Sequence, residues 1–127
     1  MATKMSESKA DLIEVSSVRD RVSPEEWQTR VDLAACYRLV FNYGWHHLIL
    51  NHISARVPGE NDQFLLNPYG LMYNEVTASN LVKVDLDGTI LDDSPYTINE
   101  AGYTIHSAVH GARHDVVCVL HTHTEAG

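Results

Sequence analysis

The sequence has few cysteines, no long apolar run and a shortage of basic residues, and each shortage excludes a class of protein. Cys36 and Cys118 provide neither a disulfide framework nor a Cys-x-x-Cys pair, as is typical of a reduced, cytoplasmic protein. No segment has the apolar length of a membrane span or the pattern of a signal peptide. Nine basic residues against 17 acidic ones give a formal net charge of −8, which argues against a nucleic-acid surface. We therefore expect a cytoplasmic protein with no nucleic-acid or membrane partner.

The chain length sets the number of domains. Its 127 residues suffice for one domain with a hydrophobic core but not for two. Residues 1–22 are polar and weakly patterned, which predicts a flexible N-terminal tail. Residues 23–127 are then expected to form a single domain.

The first strong helix signal begins at Ser23. Ser23 suits the N-cap, Pro24 suits the first helical position, and Glu26 would complete a capping box. The helix should end near Tyr43, because Gly44 is suited to terminate it.

A second helix is predicted from Asn99, as its cap, to about Ala112. Apolar residues with helical spacing should form a stripe that packs on a sheet. They are Ala101, Ile105, Ala108, Val109 and Ala112. His106 and His110 lie four apart beside this stripe, a spacing that can hold a metal. Their neighbours favour a packing or ligand-supporting role for His106, and His110 is the weaker candidate.

Strand patterns occupy the remaining segments. Residues 52–57 alternate between polar and apolar and, with residues 64–66, predict a hairpin. Residues 81–85 and 89–91 predict a second hairpin. Residues 116–120 are a short, β-branched apolar run, typical of a buried central strand. The order of elements predicts a mixed α/β fold with antiparallel hairpins.

The last strand is followed by two histidines separated by one residue. Because side chains alternate along a strand, His121 and His123 should emerge on one face and reach a single divalent ion. The alternative is that both are ordinary polar residues at a strand end. His46 and His47 are adjacent and should point apart, which argues against a joint metal site.

Six spaced motifs carry a family resemblance. In chain order they are Asn51-His-Ile-Ser-Ala-Arg-Val-Pro58, Asn67-Pro-Tyr-Gly70, Glu75-Val-Thr-Ala-Ser79, Leu81-Val-Lys-Val-Asp-Leu-Asp-Gly88, Asn99-Glu-Ala-Gly-Tyr-Thr-Ile-His106 and His121-Thr-His123. Between about Trp27 and Gly127 the sequence therefore resembles the class II aldolase/adducin family. The resemblance implies a three-layer α/β/α fold around a mostly antiparallel central sheet.

The resemblance also implies a divalent metal, usually zinc, bound by three histidines. Two of them correspond to His121 and His123, and the third is expected downstream of residue 127. Because family domains are longer than this chain, the domain is expected to be incomplete at its C-terminal end. Family enzymes use the metal to stabilise an enediolate oxygen. They are commonly tetramers, so a homo-oligomer acting on a small-molecule substrate is expected.

The sequence departs from the family pattern at the position of an acid/base glutamate. In the sugar-phosphate aldolases this glutamate lies on the helix before the metal strand, and its position here is Gly102. Such a group is typically worth about 10² to 10⁴ in rate. Glu100 should point elsewhere on the helix. The segment Asn99-Glu-Ala-Gly102 is more similar to the adducin-type branch.

The phosphate-binding loop is altered as well. The family's glycine-asparagine pair is replaced by Asn51-His52, and the threonine before Gly70 is replaced by Tyr69. Both changes disfavour a phosphorylated sugar as substrate.

Three functions remain open. The first is an aldolase-type carbon-carbon lyase acting on an unphosphorylated hydroxy-carbonyl or keto-acid compound, with Asn51, Ser54, Tyr69 and Gly70 contacting the substrate. The second is a non-catalytic, adducin-like protein-binding module. The third is a metal-dependent decarboxylase or epimerase on the same scaffold.

Overall fold

The computed structural model describes residues 17–127. Its elements are α1 (Val18–Arg21), α2 (Pro24–Asn42), β1 (Ile53–Arg56), β2 (Gln63–Leu66), a 3₁₀ turn (Tyr73–Glu75), β3 (Val82–Asp85), α3 (Glu100–Ala112) and β4 (Cys118–Leu120). Of the tail predicted over residues 1–22, residues 1–16 lie outside the described part, and α1 lies within the remainder. None of the described helices is long and apolar enough to cross a bilayer.

The four strands form one sheet in the order β3-β2-β1-β4, and every neighbouring pair is antiparallel. The predicted hairpin between β1 and β2 is confirmed, with Ala55 opposite Leu65. The second predicted hairpin is reduced to a single bridge between Val84 and Ile90. Gly88, at φ +84°, makes the turn between them.

Helices cover both faces of the sheet. On one face, Leu33, Tyr37 and Val40 of α2 pack against alternate residues of β1 in the larger core cluster. On the other face, Ser54 contacts two histidines of α3, and the guanidinium of Arg56 donates to the carbonyl oxygens of His110, Arg113 and Val116. The predicted three-layer α/β/α fold with a mostly antiparallel sheet is confirmed.

The ends of α2 follow from local sequence. The Ser23 hydroxyl accepts a hydrogen bond from the Glu26 amide at 3.1 Å, and Gly44 follows the helix at φ +69°. The predicted capping box is only half formed. The Glu26 carboxylate turns inward and pairs with Arg30 and Lys83, both at 2.9 Å.

The buried face of α3 differs from the predicted apolar stripe. The helix buries Gly102, His106 and His110, whereas Ile105 on the predicted stripe is 58% exposed. The prediction was wrong because Gly102 lets the helix approach the sheet closely, and Ser54 supplies the polar partner that the two buried imidazoles need.

The strand before His121 was predicted to be buried and central, and this is also wrong for the described residues. In the described sheet β4 lies at the edge and pairs only with β1. Val117 is 65% exposed and Leu120 is 44% exposed. A continuous apolar run indicates burial on two faces but does not fix the number of neighbouring strands.

Candidate metal centre

His121 and His123 follow β4, and the strand register determines what faces them. Ile53 pairs with Leu120, so His52, immediately before β1, lies opposite His121. The ring centroids of His121 and His123 are 5.5 Å apart. Two imidazoles on one tetrahedral zinc ion would have centroids about 5 Å apart, given nitrogen-to-zinc distances of about 2.0 to 2.1 Å. The pair is therefore spaced to share an ion after a small adjustment.

Three imidazoles form a triangle at the same place, one from His52 just before β1, one from His106 on α3 and one from His121 just after β4. The centroid distances are 6.0 Å for His52 and His106, 6.0 Å for His52 and His121, and 6.2 Å for His106 and His121. The point equidistant from the three ring centroids lies about 3.5 Å from each of them. A zinc ion bonded to an imidazole nitrogen at about 2.0 to 2.1 Å lies about 3.2 Å from the centroid of that ring. The end of the sheet and α3 thus bring three imidazoles within about 6 Å of one another.

A hydrogen bond to the Ser54 hydroxyl fixes one ring nitrogen of His106. Its Nδ1 lies 2.5 Å from the Ser54 hydroxyl, which also lies 2.8 Å from Nε2 of His110. All three side chains are fully buried. An imidazole with one nitrogen fixed by a hydrogen bond presents the other nitrogen in a defined direction, as is common around metal ions.

His123 has a neighbour that the sequence did not indicate. Its Nδ1 lies 3.3 Å from Nδ1 of His47, and its amide donates to the Trp45 carbonyl at 3.1 Å. His46 instead stacks on Phe41 with ring centroids 4.6 Å apart. The adjacent histidines do point apart, but this separation is what lets His47 reach the site.

The electrostatics of the cluster favour neutral imidazoles. Burial, followed by the neighbouring rings of His121 and His123, lowers the pKa of His52 to about 4. Burial and nearby imidazoles lower the pKa of His106 to about 3. Burial also lowers the pKa of His121, and His123 adds to the effect. Neutral imidazole is the form that binds a metal, so these groups need not lose a proton to do so near neutral pH.

The cluster fits a divalent ion that prefers nitrogen ligands. Nε2 of His52 and Nε2 of His106 are buried and have no hydrogen-bond partner within the described chain. Over residues 17–127, no group of three or more His, Cys, Asp or Glu side chains is arranged so that it could hold a metal ion as it stands. The rings of the triangle would have to move closer together and reorient before their nitrogens reached bonding distance of one ion.

The predicted substrate-contacting residues lie in different environments. Asn51 is fully buried, and its Oδ1 accepts from the His47 amide at 2.5 Å. Ser54 is buried beneath α3 with its hydroxyl committed to histidines. Tyr69 is 52% exposed, and Gly70 beside it has φ +88°. Only Tyr69 and Gly70 of this group lie in an exposed loop.

These features define a class of protein, the three-layer α/β domains in which histidines gather where the sheet meets a helix. Residues 31–127 match the class II aldolase and adducin N-terminal domain. The chain belongs to this family.

Two relatives illustrate the two branches of the family. A "Putative aldolase class 2 protein" of Pseudomonas aeruginosa is 69% identical over 112 residues, which are 88% of this chain and 43% of that protein. Alpha-adducin of Mus musculus is 53% identical over 100 residues, 77% of this chain and 14% of that protein. The chain spans less than half the length of these relatives.

Solved structures agree with the fold. An aldolase II superfamily protein from Pseudomonas syringae is 60% identical with a TM-score of 0.83, over 88% of this chain and 46% of that one. An L-fuculose 1-phosphate aldolase from Glaciozyma antarctica PI12 is 33% identical with a TM-score of 0.76, over 81% of this chain and 43% of that one.

Acidification is expected to destabilise the metal-free protein. Mainly through burial, the pKa values of His106 and His110 are lowered to about 3 and about 4, from an ordinary value of 6.5. Below pH 6.5 the unfolded chain binds protons that the folded chain does not. The free energy of unfolding is therefore highest above pH 6.5 and falls as the pH drops towards 4, by on the order of 1 kcal/mol per pH unit for each histidine.

Urea denaturation in a chelator, at several pH values between 7.5 and 4.5, measures this slope. His110→Gln removes one of the groups and should give a shallower slope than the unaltered protein. A free energy of unfolding that does not change between pH 7 and pH 4.5 would contradict the burial of neutral imidazoles.

Proposed function

We propose that this protein is a metal-dependent, aldolase-type carbon-carbon lyase that acts on a small, unphosphorylated hydroxy-carbonyl or keto-acid compound. The observation that carries the proposal is the placement of His121 beside His123. Two further imidazoles, those of His52 just before β1 and His106 on α3, have their ring centroids within about 6 Å of the centroid of His121. In the proposal His121 and His123 bind Zn²⁺. The resemblance to the family implies a third histidine ligand in addition to these two.

When bound, the ion supplies a Lewis acid that stabilises negative charge on a substrate oxygen as a carbon-carbon bond breaks. The protein's own residues position the ligands. Ser54 fixes the ring of His106, and Asn51 fixes the His47 backbone that leads into β1. Tyr69 and Gly70, in an exposed loop, are available to contact the substrate.

An unphosphorylated substrate is favoured by what the site contains. The loop that binds phosphate in the sugar-phosphate aldolases of the family is altered here, with Asn51-His52 in place of a glycine-asparagine pair and Tyr69 in place of a threonine. The formal net charge of −8 would also repel a phosphorylated compound.

A second candidate is an adducin-like module that binds a protein without turnover. The 53% identity to mouse alpha-adducin and the glycine at residue 102 both favour it.

As in other members of the aldolase branch, we infer that the protein is a homo-oligomer, a tetramer by resemblance.

An aldol-cleavage assay separates these functions. The purified, zinc-loaded protein is incubated with a panel of hydroxy-keto acids and hydroxy-aldehydes, each paired with its phosphorylated analogue, and carbonyl products are quantified. We expect cleavage of unphosphorylated compounds at least about 10-fold faster than of phosphorylated ones, lost with a chelator and restored by zinc.

The other outcomes count against the proposal in distinct ways. Preferred cleavage of phosphorylated compounds would refute the substrate class. Release of carbon dioxide without an aldol product would assign a decarboxylase. Zinc binding without turnover of any compound would support the adducin-like module.

A further inference from the structure

We propose that His52 supplies an imidazole ligand to the metal centre, from the space that a side chain at residue 102 would otherwise occupy. The inference rests on the proposed function, because it assumes that an ion binds at His121 and His123. It adds a ligand from within the described chain and assigns a role to the glycine of α3.

The first observation is that His52 and a side chain at residue 102 exclude each other. A Cβ atom added to Gly102 would lie 2.5 Å from Cδ2 of His52 and 2.6 Å from its Cγ and Nε2. Carbon atoms do not approach so closely, and the obstacle is a buried ring. The glycine is therefore required for the ring of His52 to lie where it does.

The second observation is where that ring lies. His52 is 4% exposed, and its centroid is 6.0 Å from both His106 and His121. Because Ile53 of β1 pairs with Leu120 of the neighbouring strand β4, His52 lies directly opposite His121. The backbone, not a flexible loop, thus places an imidazole beside the proposed ligands.

The third observation is an unsatisfied nitrogen. Nε2 of His52 is buried and has no hydrogen-bond partner in the described part of the chain. A buried polar atom normally has a partner, and an unpaired one suggests an ion or group that binds there. A divalent cation at the centre of the imidazole triangle would satisfy it.

The consequence is a change in the chemistry of the centre. Where family enzymes have a carboxylate on the helix, this chain has glycine and a neutral ring from the neighbouring strand. Neutral nitrogen ligands favour zinc or cobalt over magnesium or manganese, and they leave the positive charge of the ion uncompensated. The centre should therefore be nitrogen-rich and selective for the later transition metals.

Cobalt substitution tests this without an activity assay, since the visible absorption of Co²⁺ reports its ligands. Because it removes a ligand and not only a group that supports one, we expect His52→Asn to lower Co²⁺ affinity by at least about 100-fold and to change the spectrum. His114→Asn, which alters an exposed histidine, is the matched control and should change neither. Identical affinity and spectrum in His52→Asn and the unaltered protein would overturn the inference.

A second variant covers the case in which His52→Asn does not fold. Gly102→Ala leaves all histidines in the chain and is intrinsically favourable in a helix. Its Cβ would displace the His52 ring, so it should lower Co²⁺ affinity while circular dichroism shows a folded protein. Unchanged affinity in a folded Gly102→Ala variant would also overturn the inference.

A compensating pair gives the sharpest result. Gly102→Glu alone introduces a side chain whose Cβ collides with the ring of His52, and adding His52→Ala removes the collision because alanine has no Cγ. We expect the double variant to regain metal binding relative to Gly102→Glu, with a shift in preference towards Mn²⁺ because an oxygen ligand replaces nitrogen. If the double variant is no better than the single one, the two positions do not share a site.

These experiments distinguish the two proposals. If the unaltered protein binds no Co²⁺ or Zn²⁺, the proposed function fails together with this inference. If the unaltered protein binds metal and the His52 and Gly102 variants bind it equally well, only this inference fails.

Discussion

Replacing His121 with alanine is expected to abolish stoichiometric zinc binding. The ring centroid of His121 lies 5.5 Å from that of His123, 6.0 Å from that of His52 and 6.2 Å from that of His106. His121 therefore has more imidazole neighbours than any other histidine of the cluster. Loss of a group that only supports a ligand typically lowers metal affinity by about 10- to 100-fold, and loss of a ligand should cost more. We therefore expect a decrease of at least about 100-fold in zinc affinity.

Elemental analysis of the purified protein, followed by competition with a chromogenic chelator, measures this decrease. His114→Ala removes an exposed imidazole and should retain full metal content. The bound metal should also be released on acidification, because protons compete for the ligand nitrogens. Unchanged metal content in His121→Ala would remove the basis for a metal centre at the end of β4.

Replacing Arg30 with leucine is expected to cause the largest loss of stability of any single change considered. Arg30 is fully buried, and its guanidinium donates to Glu26 at 2.9 Å, to the Leu81 carbonyl at 2.8 Å and to Asp92 at 3.0 Å. Removing it leaves the buried Glu26 carboxylate with Lys83 as its remaining cation. Breaking a buried ion pair in this way costs about 3–5 kcal/mol.

The change in the free energy of unfolding can be measured by urea denaturation at pH 7.5. Arg113→Leu is the matched control, since Arg113 forms an exposed ion pair with Asp115 and should have no measurable effect. A loss below about 1 kcal/mol for Arg30→Leu would mean that the network is not held together by the guanidinium.

The parts of the fold that the sequence predicted are those set by neighbouring residues. Ser23 caps α2 and Asn99 caps α3, each through a side-chain oxygen that accepts a backbone amide two or three residues on. These contacts form within one turn of helix, so they can be recognised in a short stretch of sequence. The β1-β2 hairpin was predicted for the same reason.

The errors concern contacts between distant segments. Helical periodicity predicted that α3 would bury its apolar stripe, but the helix buries histidines because Ser54, 52 residues from His106, bonds both of them. The position of β4 at the edge of the described sheet likewise depends on its partner β1 rather than on its own residues. The role of Gly102 could not be found from α3 alone, since the ring that requires it lies on another element.

The sequence by itself determined where α2, α3 and the β1-β2 hairpin lie, the antiparallel pairing of that hairpin and the presence of two histidines side by side at a strand end. These features depend on capping groups, backbone preferences and the alternation of side chains, which act over a few residues. Only the tertiary structure decided that His47, His52 and His106 join His121 and His123. Their distances depend on strand register and on how closely α3 approaches the sheet, and both are fixed by the packing of segments far apart in the chain.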